Sequence, residues 1–419
     1  MAKIGILTDL TSFNQAYSVC NVVYNQCIML ERFGHDVTLL VADTYENTFS
    51  EPANIKIKHI VPRFTQVDYR HEQTLTEEHK QAITNIVPLF KQELSQYDIV
   101  FVHDMIYLGY HLPYFLSLEQ SQEETQKVKF YHFIHSIPPR WDVPEWQWRD
   151  LNRLNKYNNH QLVSFTTYNV NLLKHYYKTD NVIVIPHIRD IRIENDFAKE
   201  SWQIIDMMPN ILQADIVSIY PASAERLRAK QVQTIIGIFD AFKRRNMSCA
   251  LVCPNQWVTK RVARENLDRY KQFATMLNLK YGQEFIFTSE IPAFEFGLSK
   301  KILSDLYKCG NLFIFASIEE TFGLTGLEAA LNKQYIVANS DVGTFQEIYK
   351  DNVHYEQFAS LEKNKFKGWS GEQVAKYLDE VAVRILDGMK QEKSIMCNTH
   401  VRQTYNLDKI YLQYYERIL

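Results

Sequence analysis

The sequence predicts an α/β protein built from two doubly wound domains and closed by a helical tail. Three observations carry that expectation. At 419 residues the chain exceeds the size at which one hydrophobic core stops growing, so two domains of roughly 200 residues each are expected. Short apolar runs alternate with longer stretches of helical periodicity, which is the pattern of a parallel sheet covered on both faces. A polar stretch at 189–209 then separates one alternating series from a second.

The first series begins with an apolar run at 3–8 and a helix over 17–33, followed by runs at 36–41 and 55–61, a helix over 76–96, and runs at 98–103, 128–135, 161–167 and 181–185. The second comprises a run at 215–220, a helix over 231–245, runs at 250–253 and 284–288, a helix over 299–308, a run at 311–315, a helix from 325 and a run at 334–338. Residues 370–419 read as wholly helical. The expected domains are therefore 1–205 and 206–385, with 386–419 a C-terminal helical segment packing back on the first. Two such domains would hold a ligand in the cleft between them, at the carboxyl ends of their strands.

Composition fits a folded protein, with 46% hydrophobic and 23% charged residues. A net charge of −3 means that any nucleic-acid contact needs a local basic patch rather than a global field. The six cysteines are scattered, and only Cys249 and Cys253 lie close, without the second pair that a zinc site needs. They are expected to be reduced thiols of a cytoplasmic protein. The opening MAKIGILTDL is too short and too soon interrupted for a secretory or membrane segment and reads as a first strand.

The most informative stretch is NLFIFASIEETFGLTGLEAALNKQYIVANSDVGTFQEI, residues 311–348. An apolar strand runs into a loop with Glu319, Glu320 and Gly323, and a helix follows. A helix that opens after a glycine-bearing loop presents unpaired amides, here near Gly323, Leu324 and Thr325, which favour an anion such as a diphosphate. Glu328 lies in the first part of that helix, where a carboxylate can accept hydrogen bonds from a ribose diol. Thr325 and Glu328 also have the spacing of a capping box, so Glu328 either ties off its own helix or serves a ligand. Between the 215–220 strand and the next helix stand Arg226, Arg228 and Lys230, cations placed for a phosphate or else for solvent.

Taken whole, Ser317, Glu320, Phe322, Gly323, Glu328 and Ala329 resemble the signature of retaining GT-B glycosyltransferases, the large family typified by sucrose and glycogen synthases. Val337-Ala338, Val342-Gly343 and Glu347-Ile348 resemble its continuation, and the likeness covers most of residues 215–350. The resemblance implies two Rossmann-like domains and a nucleoside-diphosphate sugar as donor substrate, with no further cofactor and no metal. It implies that Glu328 contacts the donor ribose, that Glu320 contacts the transferred sugar, and that the amides between them hold phosphate. Lys230 matches the family's lysine before its helix, whereas Tyr220-Pro221 replaces the usual Gly-Arg, which leaves Arg226 preferred over Arg228 as the diphosphate arginine. His135, ending the YHFIH run, matches a histidine that the family places near the donor sugar, although a lone histidine at a strand end is as readily structural. IPHIRDIR at 185–192 resembles the family's link into its second domain. TDLTSFNQAYS after the first strand lacks the family's paired glycines. The absence of any Asp-x-Asp triplet argues against a metal-held diphosphate.

For the acceptor, the segment after His135 interleaves Trp141, Trp146 and Trp148 with Arg140, Arg149 and Arg153. Aromatic and basic groups together suit an extruded base, while a packed helix with a solvated Arg face has the same composition. Arg140, Trp141, Trp146, Arg149 and His103 are the expected acceptor contacts. The glycine-poor, Tyr-, Phe- and Asn-rich composition looks like that of a phage protein, and by analogy with the T-even phages, which encode glycosyltransferases that decorate 5-hydroxymethylcytosine, the expected partner is duplex DNA carrying a modified base. Two other readings stand beside it: a transferase with a lipid-linked or saccharide acceptor for bacterial surface polysaccharide, and a non-catalytic binder of sugar nucleotide or nucleic acid.

Overall fold

A computed structural model describes residues 1–14, 16–46, 55–135, 146–256, 258, 261–358 and 369–419. It divides into two units, Met1–Ile188 with Leu407–Leu419, and Arg189–Asn406.

The first unit is a seven-stranded parallel sheet of β1 (Lys3–Leu7), β2 (Asp36–Ala42), β3 (Lys56–Val61), β4 (Ile99–His103), β5 (Lys129–Phe133), β6 (His160–Ser164) and β7 (Val182–Val184), in the order β3-β2-β1-β4-β5-β6-β7. Its central strands are buried along almost their whole length, as in a parallel sheet covered on both faces: every residue of IVFVH in β4 is buried. Leu7 registers with Leu40 on one side and Val102 on the other. Strand order reverses between β1 and β4, and the crevice for a ligand in such a sheet lies at the carboxyl ends of that pair. The helix Glu77–Leu94 starts where Thr76 accepts the His79 amide, and buries Ile83, Ile86, Phe90 and Leu94. Leu407–Leu419 joins this unit through Arg32 to Asp408 at 3.1 Å and through Tyr411 stacked on Phe33 at 3.6 Å.

The second unit holds two three-stranded parallel sheets. One has β8 (Ile216–Ile219), β9 (Cys249–Cys253) and β10 (Phe285–Phe287) in the order β10-β9-β8, and the other has β11 (Leu312–Phe315), β12 (Tyr335–Asn339) and β13 (His354–Glu356) in the order β11-β12-β13. Asn311 joins β8 to β11, its amide donating to the Val217 carbonyl at 3.0 Å and its side-chain oxygen accepting the Val217 amide at 2.9 Å. Strand order again reverses there. Two Rossmann-like parallel units in one chain, with a C-terminal segment belonging to the first, give the chain organisation of the GT-B fold.

The boundaries differ from those expected at 205/206 and 385/386, falling instead at Ile188/Arg189 and Asn406/Leu407. The polar stretch after 188 is structural. Asp190 and Arg192 form a fully buried pair at 2.7 Å, and Asp190 also accepts the Arg192 amide to cap the helix Ile191–Glu194. Phe197, Ile204, Ile205 and Met208 enter the core of the second unit. Asp305, itself buried, accepts from the Ala198 amide and the Ser201 hydroxyl, both at 2.9 Å. At the other end Arg402 is buried and donates to the carbonyls of Ile211 and Ala214, which keeps the helix Lys393–Tyr405 in the second unit. All six cysteines are free thiols, and only Cys397 is exposed. Among the described residues no helix is long and apolar enough to cross a membrane.

Candidate active site

In the second unit the residues after β8 and those after β11 come together. Lys230 pairs with Glu320, and the two side chains are only 12% and 10% exposed. The pair is held from both sides. Tyr220, at the end of β8, donates to the Lys230 carbonyl at 3.0 Å and lies 3.4 Å from the Ser317 hydroxyl. Thr344 donates to the Glu320 carbonyl at 2.9 Å, and Asn339 to the Ser317 carbonyl at 3.0 Å. The Phe315 ring lies 5.4 Å from the Lys230 ammonium.

Directly after Glu320 the helix Leu324–Leu331 begins, with Gly323 as its left-handed cap at φ 79°. A side chain at Gly323 would bring a Cβ within 2.8 Å of the Phe315 ring, so both backbone and packing require glycine there. The amides of Gly323, Leu324 and Thr325 donate no hydrogen bond among the described residues, and the first return bond is Gly326 to the Gly323 carbonyl. This is a helix start left open beside a lysine–carboxylate pair, suited to an anion. The cap at Gly323 also places Thr325 inside the helix, so Thr325 and Glu328 form no capping box. The Tyr307 hydroxyl donates to the Thr325 carbonyl at 3.3 Å, and burial, then the nearby Glu328 carboxylate, hold it protonated. Arg226 is exposed and close enough to act electrostatically on Tyr220. Arg228 turns elsewhere, into a cavity of about 400 Å³ with Leu227, Asn266, Arg269 and Tyr270.

In the first unit, His103 ends β4 and His135 follows β5. His103 Nδ1 lies 2.8 Å from His135 Nε2, and His103 Nε2 lies 2.9 Å from the Gln26 amide oxygen. Burial pushes His135 down to about 3 and His103 well below the ordinary histidine value, so both rings are neutral at physiological pH. The His135 amide donates to Asp104 at 2.9 Å. Asp104 takes a left-handed φ of 56°, and burial raises its carboxyl to about 7.

Several acceptor-side expectations change. His103 is 1% exposed and serves as a buried link rather than a surface contact. Arg149 is also 1% exposed. Its guanidinium sits 4.1 Å from the Trp146 ring and 4.0 Å from the Tyr176 ring, and it donates to the Tyr107 carbonyl. Desolvation lowers its pKa, yet the rings around it supply the compensating attraction of a cation held against π faces. Trp148 is buried beside it, donating to the Tyr69 carbonyl at 2.8 Å. Trp146 donates to Asp68 at 3.0 Å while covering Arg149. Arg140 and Trp141 lie outside the described residues. Tyr220, Tyr307, Thr344 and Gln26 are site neighbours that the sequence reading missed; only Tyr220, at a strand's carboxyl end, carried a positional signal.

Residues 19–192 match the model of glycosyltransferase family 4. No curated protein sequence matches the chain at a significant level. Among solved structures, a glycosyltransferase from Rickettsia africae is similar at 13% identity, with 99% of this chain and 96% of that one covered and a TM-score of 0.35. HepE of Anabaena, solved with UDP and glucose, is similar at 12% identity over 100% and 99%, with a TM-score of 0.36. Sucrose-phosphate synthase of Thermosynechococcus elongatus follows at 16% identity over 100% and 98%, with a TM-score of 0.34. With the family 4 match over most of its first unit, and with Lys230 and Glu320 joined beside a glycine-opened helix start in its second, the chain is a glycosyltransferase.

Proposed function

We propose that the protein moves a sugar from a nucleoside-diphosphate sugar to an acceptor hydroxyl with retention of configuration at the anomeric carbon. The observation that carries this is the Lys230–Glu320 pair set beside the open amides of Gly323, Leu324 and Thr325. A diphosphate entering there competes with Glu320 for the lysine. Lys230 and the helix amides then stabilise the charge that grows on the leaving group, and Arg226 adds a second cation. Glu320, released from Lys230, accepts hydrogen bonds from the sugar hydroxyls, and Glu328 accepts from the ribose. Retention rests on the signature's resemblance, with the acceptor hydroxyl attacking on the face that the diphosphate leaves. The charge on the diphosphate is met by protein cations and amides, so turnover in excess chelator is expected to equal turnover without it.

On the acceptor side, a flipped hydroxymethylated base would need exposed aromatic and basic groups. Trp148 and Arg149 are buried, which favours the reading with a saccharide or lipid-linked saccharide acceptor over duplex DNA. A thermal-shift screen of sugar nucleotides identifies the donor, since a ligand at 100 times its dissociation constant adds about 2.7 kcal/mol of stability. The matching radiolabelled donor is then offered to oligosaccharides, lipid-linked saccharides and DNA with or without hydroxymethylcytosine. Label appearing in hydroxymethylated DNA restores the DNA reading, an inverted product anomer removes retention, and no stabilisation by any sugar nucleotide defeats the proposal.

A further inference from the structure

A chain of hydrogen bonds runs from the end of β5 into the C-terminal segment. Gln26 donates through its amide nitrogen to the Tyr415 hydroxyl at 2.7 Å and faces His103 Nε2 with its oxygen at 2.9 Å. Gln26, His103 and Tyr415 are 1%, 1% and 3% exposed, so these groups are shielded from solvent. The orientation of the Gln26 amide sets the direction of each link. An amide oxygen only accepts, so His103 carries its proton on Nε2. His103, being neutral, then has a lone pair on Nδ1, and His135 must donate to it from Nε2 across 2.8 Å. His135 is thereby left with an unprotonated Nδ1, and no described residue hydrogen-bonds that atom. The rings are held in place as well: His103 stacks on Phe133 at 4.8 Å, and Tyr415 meets Phe101 edge-on at 5.6 Å.

We infer that Gln26 and Tyr415 are positioning residues which, through His103, lock His135 in its Nε2–H tautomer and leave Nδ1 to accept a hydrogen bond from a ligand hydroxyl. The last element of the chain thus sets the chemistry of a residue at the carboxyl end of β5. Tyr411–Tyr415 is a π-helical turn, an uncommon geometry that brings the Tyr415 hydroxyl to Gln26. Only the identity of the group that Nδ1 accepts from rests on the glycosyl-transfer reading; the tautomer does not.

The test is nitrogen NMR of the imidazoles in the full chain at neutral pH, with His135→Gln assigning the His135 signals by their loss. The expected result is a protonated Nε2 and an unprotonated Nδ1 on His135. Gln26→Leu removes the acceptor for His103, and Tyr415→Phe, the milder change, removes the hydroxyl that accepts from the Gln26 amide nitrogen. In each variant His135 is expected to become a mixture of tautomers, with kcat falling about fivefold, the worth of one ordinary hydrogen bond. A wild-type His135 protonated on Nδ1, or both variants keeping a pure Nε2–H ring, overturns the inference. A chain that shows the tautomer and its collapse but transfers sugar from no nucleotide donor supports the relay and refutes the reaction proposed for it.

Discussion

Glu328 and Lys230 separate two kinds of work that one residue can do. Because the helix is capped at Gly323, Glu328 has no capping bond to lose. Glu328→Ala is therefore expected to weaken donor binding about tenfold, the loss of a charge-assisted hydrogen bond, while the thermal midpoint stays within about a degree. Calorimetric titration and a melt on the same sample decide it; a large drop in midpoint with unchanged affinity contradicts the role. Lys230→Met should lower kcat about 100-fold and raise the donor KM far less, because leaving-group charge is greatest in the transition state. Steady-state kinetics equal to the parent would take Lys230 out of the mechanism. These residues were legible in the sequence because they sit within one strand–loop–helix stretch or just after a strand end. Gln26 and Tyr415 were not, and His103 was read as an acceptor contact rather than their buried link, since no local pattern joins positions so far apart along the chain.

At the level of elements, the turn into Leu324–Leu331 is the most constrained. Gly323→Ala puts a side chain at φ 79° and 2.8 Å from Phe315, so it should destabilise by about 2 kcal/mol and abolish donor binding together. A chemical denaturation curve unchanged from wild type would show that the turn is not strained. The strand and helix alternation was readable from apolar periodicity, because parallel strands buried on both faces are uniformly apolar. The Trp- and Arg-bearing segment was ambiguous for a physical reason. An arginine among aromatics has the same sequence signature whether it stacks on a ligand or, like Arg149, is enclosed by Trp146 and Tyr176.

Across the whole molecule, histidine burial is concentrated in the first unit. His103, His111, His132, His135 and His160 all have pKa values lowered by desolvation, to about 3 for His111, His132 and His135. A folded pKa below the unfolded 6.5 means stability that is present above about pH 6.5 and lost as pH falls toward the folded values. Each such histidine adds a slope approaching 1.4 kcal/mol per pH unit in that window, at about 1.4 kcal/mol per proton and unit. Asp104 acts in the opposite sense. Raised from 3.8 to about 7, it favours the folded state below neutrality and offsets one of the five. Scanning calorimetry from pH 7.5 to 5 should therefore show the first unit melting earlier as the solution is acidified, before the second; a first-unit midpoint that does not move contradicts this. The expected boundary at 205 failed because the polarity of 189–209 reads as a linker, when Asp190 and Arg192 are a buried pair. The division that the structure shows, with residues 407–419 belonging to the unit that begins at Met1, bears on how the protein is made. During synthesis Arg189–Asn406 has all of its own chain before the first unit has Tyr415, so a nascent first unit waits with His103 and Gln26 unanchored until residues 407–419 have left the ribosome. On the relay inferred above, His135 gains its defined tautomer only once the Tyr415 hydroxyl has reached Gln26.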